Sequence, residues 1–213
     1  AVDERIGAMT LEQKVAQLFI VTPEALVEGV SQVTQAGDMT RDGVAAHPVG
    51  GIVYFAQNLL DPEQTTTMLA NVKQFYADAG NVAPFIAVDE EGGTVTRASK
   101  NPNLFSEPLP SPQELYAAGG LDGLLERTLS YNQKLRAFGV NVNFAPVCDV
   151  STNPDNFIYA RSFGQDAQTT ADYISSVVPV YAQSGVACVL KHFPGYGNNA
   201  DTHTGIALSL IHI

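Results

Sequence analysis

Basic residues are scarce in this chain. Eleven Lys and Arg stand against 22 Asp and Glu, for a formal charge of −11 and a pI near 4.6. The cations are scattered and form no basic run, which argues against a nucleic-acid or anionic-membrane partner and favours a small or neutral ligand. Cysteine is nearly as rare. Cys148 and Cys188 make no disulfide framework for a chain of 213 residues, and both sit in apolar, strand-like runs where buried free thiols are expected. No apolar run is long enough to span a membrane, and none has the form of a signal peptide. The chain opens at Ala1 without an initiator Met, so a leader cleaved or left out stays open. The compartment is not fixed, with an extracellular or cell-surface location favoured over a cytoplasmic one. Tryptophan is absent, yet ten Phe, eight Tyr and 45% hydrophobic residues against 15% charged ones exclude a disordered chain. Length and composition suffice for one sizeable core, so residues 1–213 read as a single domain.

Helical and strand patterns alternate along the chain. Thr10-Leu11-Glu12-Gln13 reads as a capping box, with Leu11, Val15, Leu18 and Phe19 following at helical spacing. Leu18 to Val21 is a candidate first strand. The mixed, polar segment from Glu24 to His47 reads as a lid-like insertion with a short helix near Arg41 to Ala46. Gly50 to Phe55 is the second strand. Asp61-Pro62-Glu63-Gln64 opens a helix with Met68, Leu69, Val72, Phe75 and Tyr76 as its buried stripe, ending near Gly80. Pro84 to Val88 is the third strand, running into Asp89-Glu90-Glu91-Gly92-Gly93. Ser111-Pro112-Gln113-Glu114 caps a longer helix that stops at Gly139. Val140 to Val150 is the fourth strand, and Asp166 to Ser184 a helix with Pro179 as its expected kink. The fifth strand, Val186 to Leu190, reads as buried.

Strand–helix alternation implies a parallel sheet, because each crossover needs a helix to bring the chain back to the same end. Polar groups follow the second, third, fourth and fifth strands, as on the active face of a (β/α)8 TIM-type barrel. A doubly wound open sheet would instead gather its site at one switch point, and no Gly-rich phosphate turn follows the first strand. The expected fold is therefore α/β, a (β/α)8 barrel with about its first five units present.

The chemistry concentrates in Lys191-His192-Phe193-Pro194-Gly195 and the loop that continues to Asp201 and His203. A lone loop histidine is ordinarily a solvated side chain. Here Lys191, His192, Asp201 and His203 follow one apolar run. Asp201 stands two residues from His203, close enough to orient the imidazole and raise its basicity for general acid/base work. A second reading makes His192, Asp201 and His203 metal ligands, although no further cluster has metal spacing.

Together, Met9 to Val15, Gly50 to Val53, Asp89 to Gly93 with Arg97, Arg161-Ser162-Phe163-Gly164 and Lys191 to Gly195 resemble the N-terminal barrel domain of glycoside hydrolase family 3, roughly from Ile6 to Gly205. Asp201-Thr202-His203 is similar to the β-N-acetylglucosaminidase branch, which uses an Asp–His dyad. The resemblance implies retaining hydrolysis of terminal β-linked N-acetylglucosamine, with His203 as acid/base and Asp201 as its orienting partner. It also implies sugar binding by Asp89, Arg97, Arg161, Lys191 and His192, and no cofactor or metal. The family's nucleophilic Asp follows a later strand, and no residue here matches it. Residues 208–213 do not resemble the family's continuation. The chain is thus expected to be a fragment, nearly inactive alone. A metal-dependent barrel hydrolase and a non-catalytic saccharide-binding piece stay open as alternatives.

Overall fold

A computed structural model of the chain describes residues 2–197 and 199–204. Five strands form one parallel sheet in chain order: β1 (Ile20–Val21), β2 (Gly51–Tyr54), β3 (Phe85–Val88), β4 (Val142–Asn143) and β5 (Ala187–Cys188). Neighbours in sequence are neighbours in the sheet, with Gly51 opposite Phe85, Val88 opposite Asn143 and Asn143 opposite Cys188. This is the sequential order of a barrel wall, as expected. Among the described residues the wall does not close, and β1 and β5 each have one unpaired side.

The helices are fixed by local chemistry. In α2 (Leu11–Ala16), Thr10 Oγ1 accepts from the Gln13 N–H at 3.2 Å and Gln13 Oε1 accepts from the Thr10 N–H at 2.9 Å. In α4 (Pro62–Asp78), Asp61 accepts from the Gln64 N–H at 2.8 Å. A capping box between Ser111 and Glu114 opens α5 (Pro112–Phe138), and Asp166 caps α6 (Ala167–Ser184). Each such cap satisfies amides that the first turn leaves without partners, at about 1 kcal/mol apiece. The helix α5 is broken at Gly120, whose φ of +62° a side chain would disfavour. Two further α-helices, α1 (Val2–Ala8) and α3 (Asp38–Ala46), complete the six described ones.

Strand alternation sends Ile52, Tyr54, Ile86 and Val88 toward the helices, where they meet Leu69, Val72 and Tyr76 of α4 and Leu135 and Phe138 of α5. A second cluster joins Leu124 to Phe163, Tyr173, Val177 and Tyr181. These two layers hold the strand ends that carry the cleft.

Several expectations change. The segment 24–47 is no lid, because Leu26, Val27, Val33, Ala36 and Val44 are buried in the main core. Glu24 ties that segment down by accepting from Val33 N–H and Asn58 Nδ2. The apolar stripe running from α2 into the turn before β1 is not buried: Leu11, Val15, Leu18 and Phe19 are exposed. The regular fourth strand stops after Asn143, and beyond it the contact with the fifth-strand segment continues irregularly, with Val189 N–H donating to Ala145 C=O at 3.0 Å and a bridge between Val147 and Lys191. The fifth strand is short, and Val189 and Leu190 just beyond it are exposed at the sheet edge. Cys148 and Cys188 are free thiols but only half-buried. Burial pushes the Cys148 thiol up to about 11, so it stays protonated and unreactive at neutral pH. The tail 208–213 lies outside the described residues.

Candidate active site

The C-terminal ends of β3, β4 and β5 deliver acids and bases to one place. Asp89, Glu90 and Glu91 leave β3 in succession, Asp149 follows β4, and Lys191 and His192 follow β5. Lys191 Nζ lies 2.8 Å from Asp89 Oδ1 and 2.5 Å from Glu91 Oε1. Arg161 grips the same Glu91 with two parallel bonds, Nε to Oε2 at 2.9 Å and Nη2 to Oε1 at 2.8 Å. The Glu91 side chain is 1% exposed, so this fork sits away from water, where such bidentate pairs are strongest. Glu91 outweighs the effect of burial on Arg161 and holds the guanidinium above its ordinary range.

Arg161 also reaches His192 Nε2 at 3.0 Å. A guanidinium can only donate, so Nε2 accepts and the ring proton sits on Nδ1, facing Asp149 Oδ2 at 2.7 Å. Asp149 accepts in addition from the backbone N–H groups of His192 and Tyr196, at 3.1 and 2.6 Å. Burial works to raise the Asp149 carboxyl, and the His192 ring together with these amides outweighs it, leaving the group below its usual value. The result is one continuous network: Asp89, Lys191, Glu91, Arg161, His192, Asp149.

Asp201 and His203 form a separate pair. Asp201 Oδ1 lies 2.6 Å from His203 Nδ1 and accepts from the His203 backbone N–H at 3.0 Å. The His203 backbone amide and ring hold the Asp201 carboxyl below its usual value. With Nδ1 engaged, Nε2 is the nitrogen left for other partners.

A cleft of about 650 Å³ lies over the network. Asp89, Arg97, Arg161, Lys191, His192 and His203 border it, and Asp201 stands behind His203. The structure therefore brings together every site residue expected from the sequence. Sequence reasoning included Glu91 in the Asp89 to Gly93 block but gave no role to it or to Asp149, which hold Arg161 and His192. Their burial as acids was the signal to look for, but it depends on partners 70 and 43 residues away. His192 is unsuited to a metal, since both ring nitrogens are already engaged by Arg161 and Asp149.

Known proteins share this plan. The family model described as "Glycosyl hydrolase family 3 N terminal domain" matches residues 10–211. Beta-hexosaminidase A of Pseudoalteromonas piscicida is 30% identical over 76% of this chain and 28% of its own length. Beta-hexosaminidase LpqI of Mycobacterium tuberculosis is 30% identical over 90% of this chain and 45% of its own. Among solved structures, a glycoside hydrolase family 3 beta-N-acetylglucosaminidase from Paenibacillus sp. superposes with a TM-score of 0.78 at 36% identity, covering 92% of this chain and 35% of that one. The chain thus spans less than half the length of these relatives. The match over nearly all its residues, in sequence and in fold, places the chain in the glycosyl hydrolase family 3 N-terminal domain family.

Proposed function

We propose that this chain supplies the sugar-binding floor and the acid/base of a retaining β-N-acetylglucosaminidase. The carrying observation is the Asp201–His203 pair at the rim of a cleft whose floor is a buried, ion-paired network. Asp89, Arg97, Arg161, Lys191 and His192 offer donors and acceptors to the hydroxyls of a terminal N-acetylglucosamine. Protonated His203 gives its Nε2 proton to the departing glycosidic oxygen, and neutral His203 then takes a proton from the water that completes hydrolysis. Asp201, kept anionic by its hydrogen bonds, holds the ring and stabilises the imidazolium. The attacking carboxylate is not assigned here. Asp89 and Glu91, the carboxylates that border the cleft, are both engaged by cations.

The test is the gene read past codon 213, followed by assay of its full product on an aryl N-acetyl-β-glucosaminide. Turnover should fall by about 10²–10⁴ in His203→Ala, the range for loss of a general acid/base. The present chain alone should bind N-acetylglucosamine and turn the aryl glycoside over poorly or not at all. Robust turnover by the chain alone would refute the absence of a nucleophile. A frame that ends at codon 213, with binding but no cleavage, would favour the saccharide-binding reading.

A further inference from the structure

Glu90 is 1% exposed and makes no ion pair among the described residues, yet it lies between Asp89 and Glu91, both bound to cleft cations. Its carboxylate turns away from that network. Oε2 accepts from the backbone N–H groups of Arg97 and Ala98 at 2.9 and 2.8 Å, and Oε1 accepts from Ser99 N–H at 3.2 Å. Its own backbone is gripped from β4. Asn143 Oδ1 accepts from Glu90 N–H and Asn143 Nδ2 donates to Glu90 C=O, both at 2.9 Å. The 90–99 loop is thereby closed on itself and pinned to the sheet. Gly92 lets the loop turn, since a Cβ there would meet Pro110 O at 2.3 Å.

Arg97, at the end of this clamp, differs from the other cleft cations. Lys191 and Arg161 are neutralised by Asp89 and Glu91. Arg97 has no salt bridge among the described residues. Its guanidinium carbon stands 5.4 Å from the centre of the Phe55 ring, and its buried Nε has no hydrogen-bond partner. Three of the loop's backbone amides are satisfied by one buried carboxylate, so the Arg97 side chain is not consumed in holding the loop. Arg97 borders the cleft, so its guanidinium, without a salt bridge among the described residues, is open to an acceptor from outside.

We propose that Glu90, bracketed by Asn143, is a positioning residue that presents Arg97 as an uncommitted donor to the oxygens of the bound sugar. The inference rests on the sugar-cleft reading above. Affinity for N-acetyl-D-glucosamine should fall about tenfold in Glu90→Gln, where an amide N–H would face a backbone N–H, and by a similar factor in Arg97→Ala. The double variant should lose little more than either single one, because both remove the same contact. If Glu90→Gln does not fold, Glu90→Asp keeps the charge but shortens the reach, and should show the same non-additivity at smaller amplitude. Unchanged sugar affinity in a folded Glu90 variant, or full additivity with Arg97→Ala, overturns the inference. If the unaltered chain binds no sugar, the cleft reading fails by itself. The positioning is then decided by the rate at which phenylglyoxal modifies Arg97 in the ligand-free chain. That rate should change several-fold in Glu90→Gln, and an unchanged rate overturns the proposal.

Discussion

Strands β2 and β3 pair over four residues, and the residues they turn to the helices are fully buried, whereas β1 and β5 contribute two residues each and lie among exposed apolar side chains. The two kinds of strand read alike in sequence. Ile52-Val53-Tyr54 and the run Val186 to Leu190 that contains β5 are both short apolar runs that lead into polar loops. What separates them is the neighbour on each side: β3 lies between β2 and β4, while β5 has a partner on one side only among the described residues. Burial here is a property of position in the wall. The cleft cations Arg161 and Lys191 are anchored to the central strand through Glu91, and the Asp201–His203 pair hangs from the edge strand's loop.

The comparison breaks most sharply at Glu91. Glu91→Ala would leave Arg161 and Lys191, whose side chains are 13% and 14% exposed, without their shared anion. The expected loss is about 4 kcal/mol in urea unfolding, as for other buried pairs that lose one partner. A loss below 1 kcal/mol would mean that water already reaches the pair. Leu69→Ala comes next. Leu69 is fully buried against the central strands, and its truncation should cost about 3 kcal/mol through lost transfer energy and the cavity left behind.

How much of this was legible in the sequence follows the range of each interaction. Caps at Thr10, Asp61, Ser111 and Asp166 act within three residues, so the helix starts could be read directly. Asp201 and His203 were legible for the same reason. The roles of the three consecutive acids were not. Asp89 meets Lys191 102 residues away, Glu91 meets Arg161 70 residues away, and Glu90 turns back on its own loop. Nothing local separates them, because each depends on where the strand ends relative to its neighbours. Asp149 shows the same limit, since its partner His192 stands on the adjacent strand's loop. The apolar stripe of α2 failed in the opposite sense: periodicity identified a face without showing whether anything covers it.

Acid sharpens the contrast by a different route. The Asp149 carboxyl is held below its ordinary value of 3.8 in the folded chain. A depressed carboxyl binds fewer protons folded than unfolded, so its contribution to stability is complete above that ordinary value and disappears as pH falls through the depressed one. Unfolding measured across the acid range should therefore show part of the acid lability removed by Asp149→Asn. The same variant should also weaken the hold on His192 Nδ1. An identical pH profile for variant and parent would show that Asp149 is not depressed.

The smallest effect belongs to the edge. Leu18 is 83% exposed beside β1, so Leu18→Ser removes little apolar surface from any packed environment. Stability should stay within about 0.5 kcal/mol of the parent, the usual range for surface positions. The measurement discriminates because Leu18 and Leu69 are the same residue type at opposite ends of the comparison. If Leu18→Ser instead costs more than about 2 kcal/mol, a figure proper to buried leucines, the edge is covered in solution. Its cover would then be read from concentration dependence. A loss that shrinks on dilution points to a second copy seated on the edge of β1 that is unpaired among the described residues, since such an edge is a natural template for another strand. A loss independent of concentration points to cover from within the same chain.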